Sequence, residues 1–89
     1  MLSKPPDRRE AWLIWRLGEA DGPAYDELVG ELAQEFPHDN RHISGIRAVR
    51  TVRWTLWSKL ATTEPDESVW LTPAGWAALA ELQQMVGAR

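Results

Sequence analysis

Apolar residues recur at spacings of three and four in four separate stretches of this chain, and turn-forming residues separate one stretch from the next. That period belongs to amphipathic helices, which must bury their apolar stripes against one another, so few architectures are open to the chain. Leu13, Ile14 and Leu17 mark a first helix, opened by Asp7-Arg8-Arg9-Glu10 in the acid-x-x-Glu form of a helix start and running to about Glu19. Gly18 and Ala20-Asp21-Gly22-Pro23 supply its stop and turn, because glycine tolerates positive φ and proline cannot continue a helix. A second helix is expected over about Ala24 to Gln34, with Leu28, Leu32, Tyr25 and Phe36 inward and Glu27, Glu31 and Glu35 outward. Asp39 or Asn40 then caps a third helix, about Arg41 to Leu56, whose apolar stripe is Ile46, Val49, Val52 and Leu56.

Two short stretches break the helical period. Residues 57–62 alternate aromatic or β-branched with other side chains, and Ser68-Val69-Trp70-Leu71 does the same beyond a Glu-Pro-Asp-Glu turn, which together predict a hairpin. Thr72-Pro73 starts a final helix, hydroxyl at the cap and proline in the first helical position, with Trp76, Leu79, Leu82 and Val86 on its inner face. The expected fold is therefore mainly α with a small β-hairpin, in the order α-α-α-β-β-α. Residues 8–87 form one domain behind a flexible leader, 1–7, that holds two prolines and no periodicity. With 89 residues the chain supports one core and leaves little room for a deep catalytic pocket.

Charge is distributed unevenly. The net charge is −3, yet residues 40–63 contain no Asp or Glu and carry Arg41, Arg47, Arg50, Arg53 and Lys59, five of the ten basic residues. At 100° per residue Arg47, Arg50, Thr51 and Trp54 cluster opposite the apolar stripe of the third helix, with Arg53 and Trp57 on its flank. A pI near 5.3 excludes a protein that coats nucleic acid by bulk charge. The absence of cysteine removes disulfides, thiolate nucleophiles and cysteine zinc sites. No apolar run approaches a bilayer span and the start lacks a signal-peptide core, so a cytoplasmic protein without membrane partners is expected.

Val69-Trp70-Leu71-Thr72-Pro73-Ala74-Gly75-Trp76-Ala77-Ala78-Leu79 resembles the strand-to-helix junction, Leu-Thr-Pro-x-Gly, that follows the wing in MarR-like and PadR-like regulators of the winged helix-turn-helix superfamily. Ile43-Ser44-Gly45-Ile46-Arg47-Ala48-Val49-Arg50 is similar to the opening of their recognition helix, and the resemblance covers about residues 8–86 in element order. It implies a winged helix that binds duplex DNA through its third helix, as a homodimeric transcription regulator or an accessory DNA-binding factor. A major groove about 12 Å wide admits one helix. Arg47 and Arg50 are the candidates for base edges, Arg41, Arg53 and Lys59 for phosphate, Ser44 and Thr51 for short hydroxyl contacts, and His42 for phosphate or backbone. Trp54 could stack on sugar or base, or pack within the fold. Two features depart from the pattern: Glu64, Asp66 and Glu67 make the wing tip acidic, so it is not expected on DNA, and the second helix is acidic too.

Six tryptophans cannot all share one small core. Trp12 and Trp15 lie opposite the first helix's aliphatic stripe, and with Trp76 they are candidates either for a homodimer interface or for packing within the chain. The same abundance of Trp and Arg supports a rival reading, a winged helix used as a protein-interaction module. His38 and His42 are a poor match to a two-histidine zinc pattern, since Pro37 and the cap keep His38 off the helix. The carboxylates Glu64 and Glu67 lie in a solvated turn, and there is no glycine-rich phosphate loop. The expectation is no catalytic residue, no metal and no cofactor.

Overall fold

The structure, a computed structural model, describes residues 6–87. Helices α1 (Arg8–Leu17), α2 (Tyr25–Glu35) and α3 (Arg41–Trp57) are followed by strands β1 (Ala61–Thr63) and β2 (Val69–Leu71) and by helix α4 (Pro73–Gly87), the order α-α-α-β-β-α. Residues 1–5 of the expected leader lie outside the described residues. Asp7, its last residue, belongs to the fold: its carboxylate accepts from the Glu10 amide at 2.9 Å, and the Glu10 carboxylate accepts from the Asp7 amide at 3.1 Å. This reciprocal pair satisfies two of the donors that a helix start leaves open.

Leu13, Ile14 and Leu17 of α1, Leu28 and Leu32 of α2, Val52 of α3, Val69 of β2 and Leu79 and Leu82 of α4 are buried in one core, so every helix and the hairpin contribute to it. The turn after α1 is built differently from the sequence expectation. Gly18 keeps a right-handed conformation at φ −64°, and Ala20 and Gly22 are the left-handed residues, at φ 56° and 62°. Gly18 serves close packing, since a Cβ there would sit 2.6 Å from Leu79 Cδ2 across the α1–α4 contact.

Helix α3 turns a different face to the core from the one its apolar period implies. Ser44, Ala48, Thr51, Val52 and Thr55 are buried, whereas Ile46 is 40% exposed and Val49 and Leu56 are half-buried. Small residues at spacings of three and four let a helix approach its neighbours closely, and α3 packs against both α1 and α2. The inward hydroxyls carry no unmet hydrogen bond: Thr51 Oγ1 donates to the Arg47 carbonyl and Thr55 Oγ1 to the Thr51 carbonyl, each at 2.9 Å, and Ser44 Oγ accepts from the His38 amide at 2.7 Å. Helix α4 departs in a similar way. Gly75, Ala78, Leu79 and Leu82 face inward, while Trp76 and Val86 are exposed.

Trp57 still belongs to α3, and the strand begins only at Ala61. Between them Lys59 takes a left-handed conformation, φ 66°, so that its amide bonds to the Leu56 carbonyl and the Leu60 amide to the Thr55 carbonyl, each at 3.1 Å. These two bonds are the helix-ending pattern that usually places glycine at the left-handed residue. β1 and β2 pair antiparallel with Ala61 opposite Leu71 and Thr63 opposite Val69. Their turn closes through the Glu67 amide on the Glu64 carbonyl at 2.8 Å, with Pro65 in its second position and Glu67 left-handed at φ 67°. On its other side β2 meets the α1–α2 connection, where Ala24 bridges Ser68 and the Val69 amide donates to the Pro23 carbonyl at 2.9 Å.

The Leu71–Gly75 junction ties hairpin, α3 and α4 together. The Thr72 amide donates to the Leu60 carbonyl at 3.0 Å, its hydroxyl donates to the Lys59 carbonyl at 2.5 Å, and the same oxygen accepts from the Gly75 amide at 3.1 Å as the cap of α4. Gly75 lies against the backbone of Leu60. A Cβ there would fall 2.9 Å from Leu71 Cδ2 and 3.0 Å from the Leu60 carbonyl carbon, and closer still to its oxygen.

Candidate functional site

The start of α3 is fixed by its cap. Asn40 Oδ1 accepts from the His42 amide at 2.9 Å, and His38 Nδ1 accepts from the Asn40 amide at 3.0 Å, which uses one nitrogen of the histidine pair in the turn itself. With Ser44, Ala48, Thr51 and Thr55 turned inward, the outermost line of the helix runs Ile46, Arg50, Arg53, Trp57, within about 60° of one another. Arg41, His42, Arg47, Arg50, Arg53 and Lys59 are all exposed. Among the described residues, none of the five cations Arg41, Arg47, Arg50, Arg53 and Lys59 makes an ion pair or a side-chain hydrogen bond.

Arg16 shows what the fold does with a cation it uses internally. Its guanidinium holds Glu31 of α2 at 2.8 Å, Asp21 at 2.9 Å and Glu19 at 3.1 Å, and its side chain is only 15% exposed. Those carboxylates, the Glu31 hydrogen bond foremost, push the guanidinium pKa up, and the Arg16 hydrogen bond holds Asp21 below the usual carboxylate range. Glu31 of α2 and Glu19 and Asp21 of the α1–α2 connection thus neutralise Arg16, while the α3 cations remain open to solvent or a partner.

Two depressions flank the outer line of α3. Towards α2 lies a cleft of about 540 Å³ lined by Val29, His42, Gly45, Ile46 and Val49 with Arg41, Arg50 and Arg53 at its edge. Towards α1 a smaller groove of about 290 Å³ holds Arg47, Arg50, Thr51 and Trp54 opposite Asp7, Arg9 and Glu10. Arg47 therefore stands beside acidic groups of α1, and Arg50 is shared between the two depressions. Trp54 is half-buried against the core next to the α1 start. Ser44 and Thr51, the two hydroxyls expected to reach DNA, are buried and bonded to backbone, which removes them from the contact surface. Three residues join the site that sequence reasoning left out of it. Trp57 is 83% exposed at the end of α3, Ile46 stands on its outer line, and Arg9 enters the α1 groove. The signal for Ile46 and Trp57 was the line of small residues 44, 48, 51 and 55, which puts 46, 50, 53 and 57 outward, whereas Arg9 enters through the packing of α1 against α3.

The tryptophans divide. Trp12 packs edge-on against Phe36, ring centroids 6.4 Å apart, and Arg8 and Arg9 lie over the same Phe36 ring at 5.5 and 5.4 Å. Trp15 remains exposed and borders an apolar cleft of about 240 Å³ between α1 and α4 with Ala11, Leu82, Met85 and Val86. Trp76 is exposed on the first turn of α4. At the hairpin tip Glu64, Asp66 and Glu67 are exposed, and hydrogen bonds from the Ser68 hydroxyl and amide lower the pKa of Asp66. No described helix is long and apolar enough to cross a membrane.

No known protein family, no curated protein and no solved structure matches the chain. What the site can do is therefore carried by its own side chains.

Proposed function

We propose that the chain is a winged-helix protein that binds duplex DNA through α3, working as a homodimeric transcription regulator or accessory DNA-binding factor. The observation that carries this reading is the set of five exposed, unpaired cations on and just beyond one helix of a chain whose net charge is negative. Unpaired arginines along one helix face match phosphates and guanine edges, and a 17-residue helix about 25 Å long fits a major groove. The Leu-Thr-Pro-Ala-Gly junction and the element order support the same reading. Arg50 and Arg53 lie on the outer line and take the base-proximal role, with Arg41, Arg47 and Lys59 towards phosphate. The acidic hairpin tip stays off the DNA, so affinity per protomer is modest and salt-dependent. Pairing through the α1–α4 cleft, with Trp15 at its edge, would supply the second half-site, roughly 34 Å away. No catalytic group, metal or cofactor takes part in this function.

The test is fluorescence anisotropy of a labelled random-sequence duplex at about 50 and 200 mM salt, where each phosphate contact adds about 0.9 to the salt slope. Binding with a steep slope is expected, and Arg50→Ala with Arg53→Ala should weaken it, with Arg41, Arg47 and Lys59 still on phosphate, while circular dichroism stays unchanged. A double variant that binds normally would remove α3 from the interface. Trp57, 83% exposed on the same outer line of α3 as Ile46, favours a second reading as a protein-interaction module. An absence of duplex binding by the wild type at the lower salt would transfer the argument to that reading.

A further inference from the structure

On the outer line of α3, among Arg50, Arg53 and Trp57, stands Ile46, 40% exposed, and it lines the α2 cleft together with Arg50 and Arg53. Beside it, Gly45 occupies the second turn of α3. Glycine weakens a helix relative to alanine, and here nothing in the chain asks for it: a Cβ at Gly45 would meet no atom within 4 Å, and φ is not positive. Val29 and Val49 complete an apolar strip in the cleft, and cations stand along its edge. On the convex outer line of the helix, Ile46 flanked by Arg50 and Arg53 complements a groove that is anionic at its rim and carries apolar groups at its floor. In the major groove the one apolar group on a base edge is the 5-methyl of thymine.

Resting on the DNA-binding reading above, we infer that Ile46 is a specificity-determining residue that packs on a thymine 5-methyl group, and that Gly45 keeps the helix surface open for the close approach of that base. Arg50 and Arg53 then fix the neighbouring purines or phosphates, so the site selects thymine by burial of a methyl and not by hydrogen bonding.

The experiment starts from duplexes enriched out of a random library by the full chain. The enriched pool is copied with either thymidine or deoxyuridine triphosphate, which differ only in the methyl, and binding is compared at one salt concentration. Wild type is expected to bind the uracil pool about fourfold more weakly for each methyl contacted. Ile46→Ala should bind both pools equally and keep the wild-type salt slope. Gly45→Ala should melt a few degrees higher, by about 4 °C, yet bind the thymine pool more weakly. Gly30→Ala, in α2 outside the cleft and also without a neighbour within 4 Å, should melt higher and bind as wild type. Equal affinity of wild type for the two pools, or a methyl preference that survives in Ile46→Ala, overturns the inference and leaves the DNA-binding reading standing. Failure of the wild type to enrich any duplex overturns both.

Discussion

Replacing Gly75 by alanine tests whether α4 is seated on the hairpin as the structure has it. The added methyl would lie 2.9 Å from Leu71 Cδ2 and 3.0 Å from the Leu60 carbonyl carbon, and nearer to the carbonyl oxygen. Leu71 could rotate away, but the Leu60 carbonyl is backbone and is held by the Thr72 amide at 3.0 Å, so the first turn of α4 must lift instead. Overpacking of this kind costs about 1 to 3 kcal/mol, and loosening the Thr72 bond adds about 1 kcal/mol. Alanine returns about 1 kcal/mol through its better helix propensity. The net loss is about 1 to 3 kcal/mol, against a total stability of roughly 5 to 13 kcal/mol for a domain of this length. At about 4 to 8 °C per kcal/mol, Tm should fall by about 4 to 24 °C in a melt followed by circular dichroism. A Gly75→Ala protein melting at or above the wild type would show that α4 does not rest on the Leu60 carbonyl, and the physical account of the Leu-Thr-Pro-Ala-Gly junction would be wrong.

Two further perturbations probe the charges. Arg16→Met keeps the buried stem but removes the link to Glu31, and should cost about 1 kcal/mol once the partial exposure of Glu31 is allowed for. Because Arg16 lowers the Asp21 pKa, that pair stabilises the fold above the ordinary carboxylate range and stops doing so as pH falls through the depressed value. Wild type should therefore lose its Tm advantage over Arg16→Met on acidification below about pH 4, and an advantage that grows instead would contradict the pairing. Lys59→Gly should raise Tm slightly, since a left-handed lysine costs about 1 to 2 kcal/mol and the glycine chain's extra unfolded entropy offsets part of that. If Lys59 meets phosphate, the same variant lowers the salt slope of duplex binding by about 0.9, measured by anisotropy.

The elements and their order follow from local residue pattern. Leu13, Ile14, Leu17, Leu28 and Leu32 are large, periodic and flanked by caps, and such residues have only one low-energy place, the core. Thr72-Pro73 and the Glu-Pro-Asp-Glu turn likewise act locally, through a fixed φ and a side-chain cap, so α4 and the hairpin were legible without any partner element. The charge contrast was legible for the same reason, because an acid-free run is acid-free in any fold.

Which side of α3 faces in is set by the packing of the whole fold. Hydropathy favours Ile46, Val49 and Leu56 for burial, but α3 is wedged against α1 and α2, and the close approach there selects Ser44, Ala48, Thr51 and Thr55, whose hydroxyls return to nearby backbone. That rotation took Ser44 and Thr51 out of the candidate interface and brought Ile46 and Trp57 into it. It also separated the arginines, setting Arg47 beside the acids of α1 and leaving Arg50 and Arg53 outermost. Gly18 and Gly75 were chosen by neighbours far along the chain, Leu79 and Leu60, which no local pattern could announce. Local conformational preferences and hydrophobic period are properties of a segment, whereas the face a helix buries depends on how closely its neighbours can approach, and that distance is fixed only when all the elements are packed together.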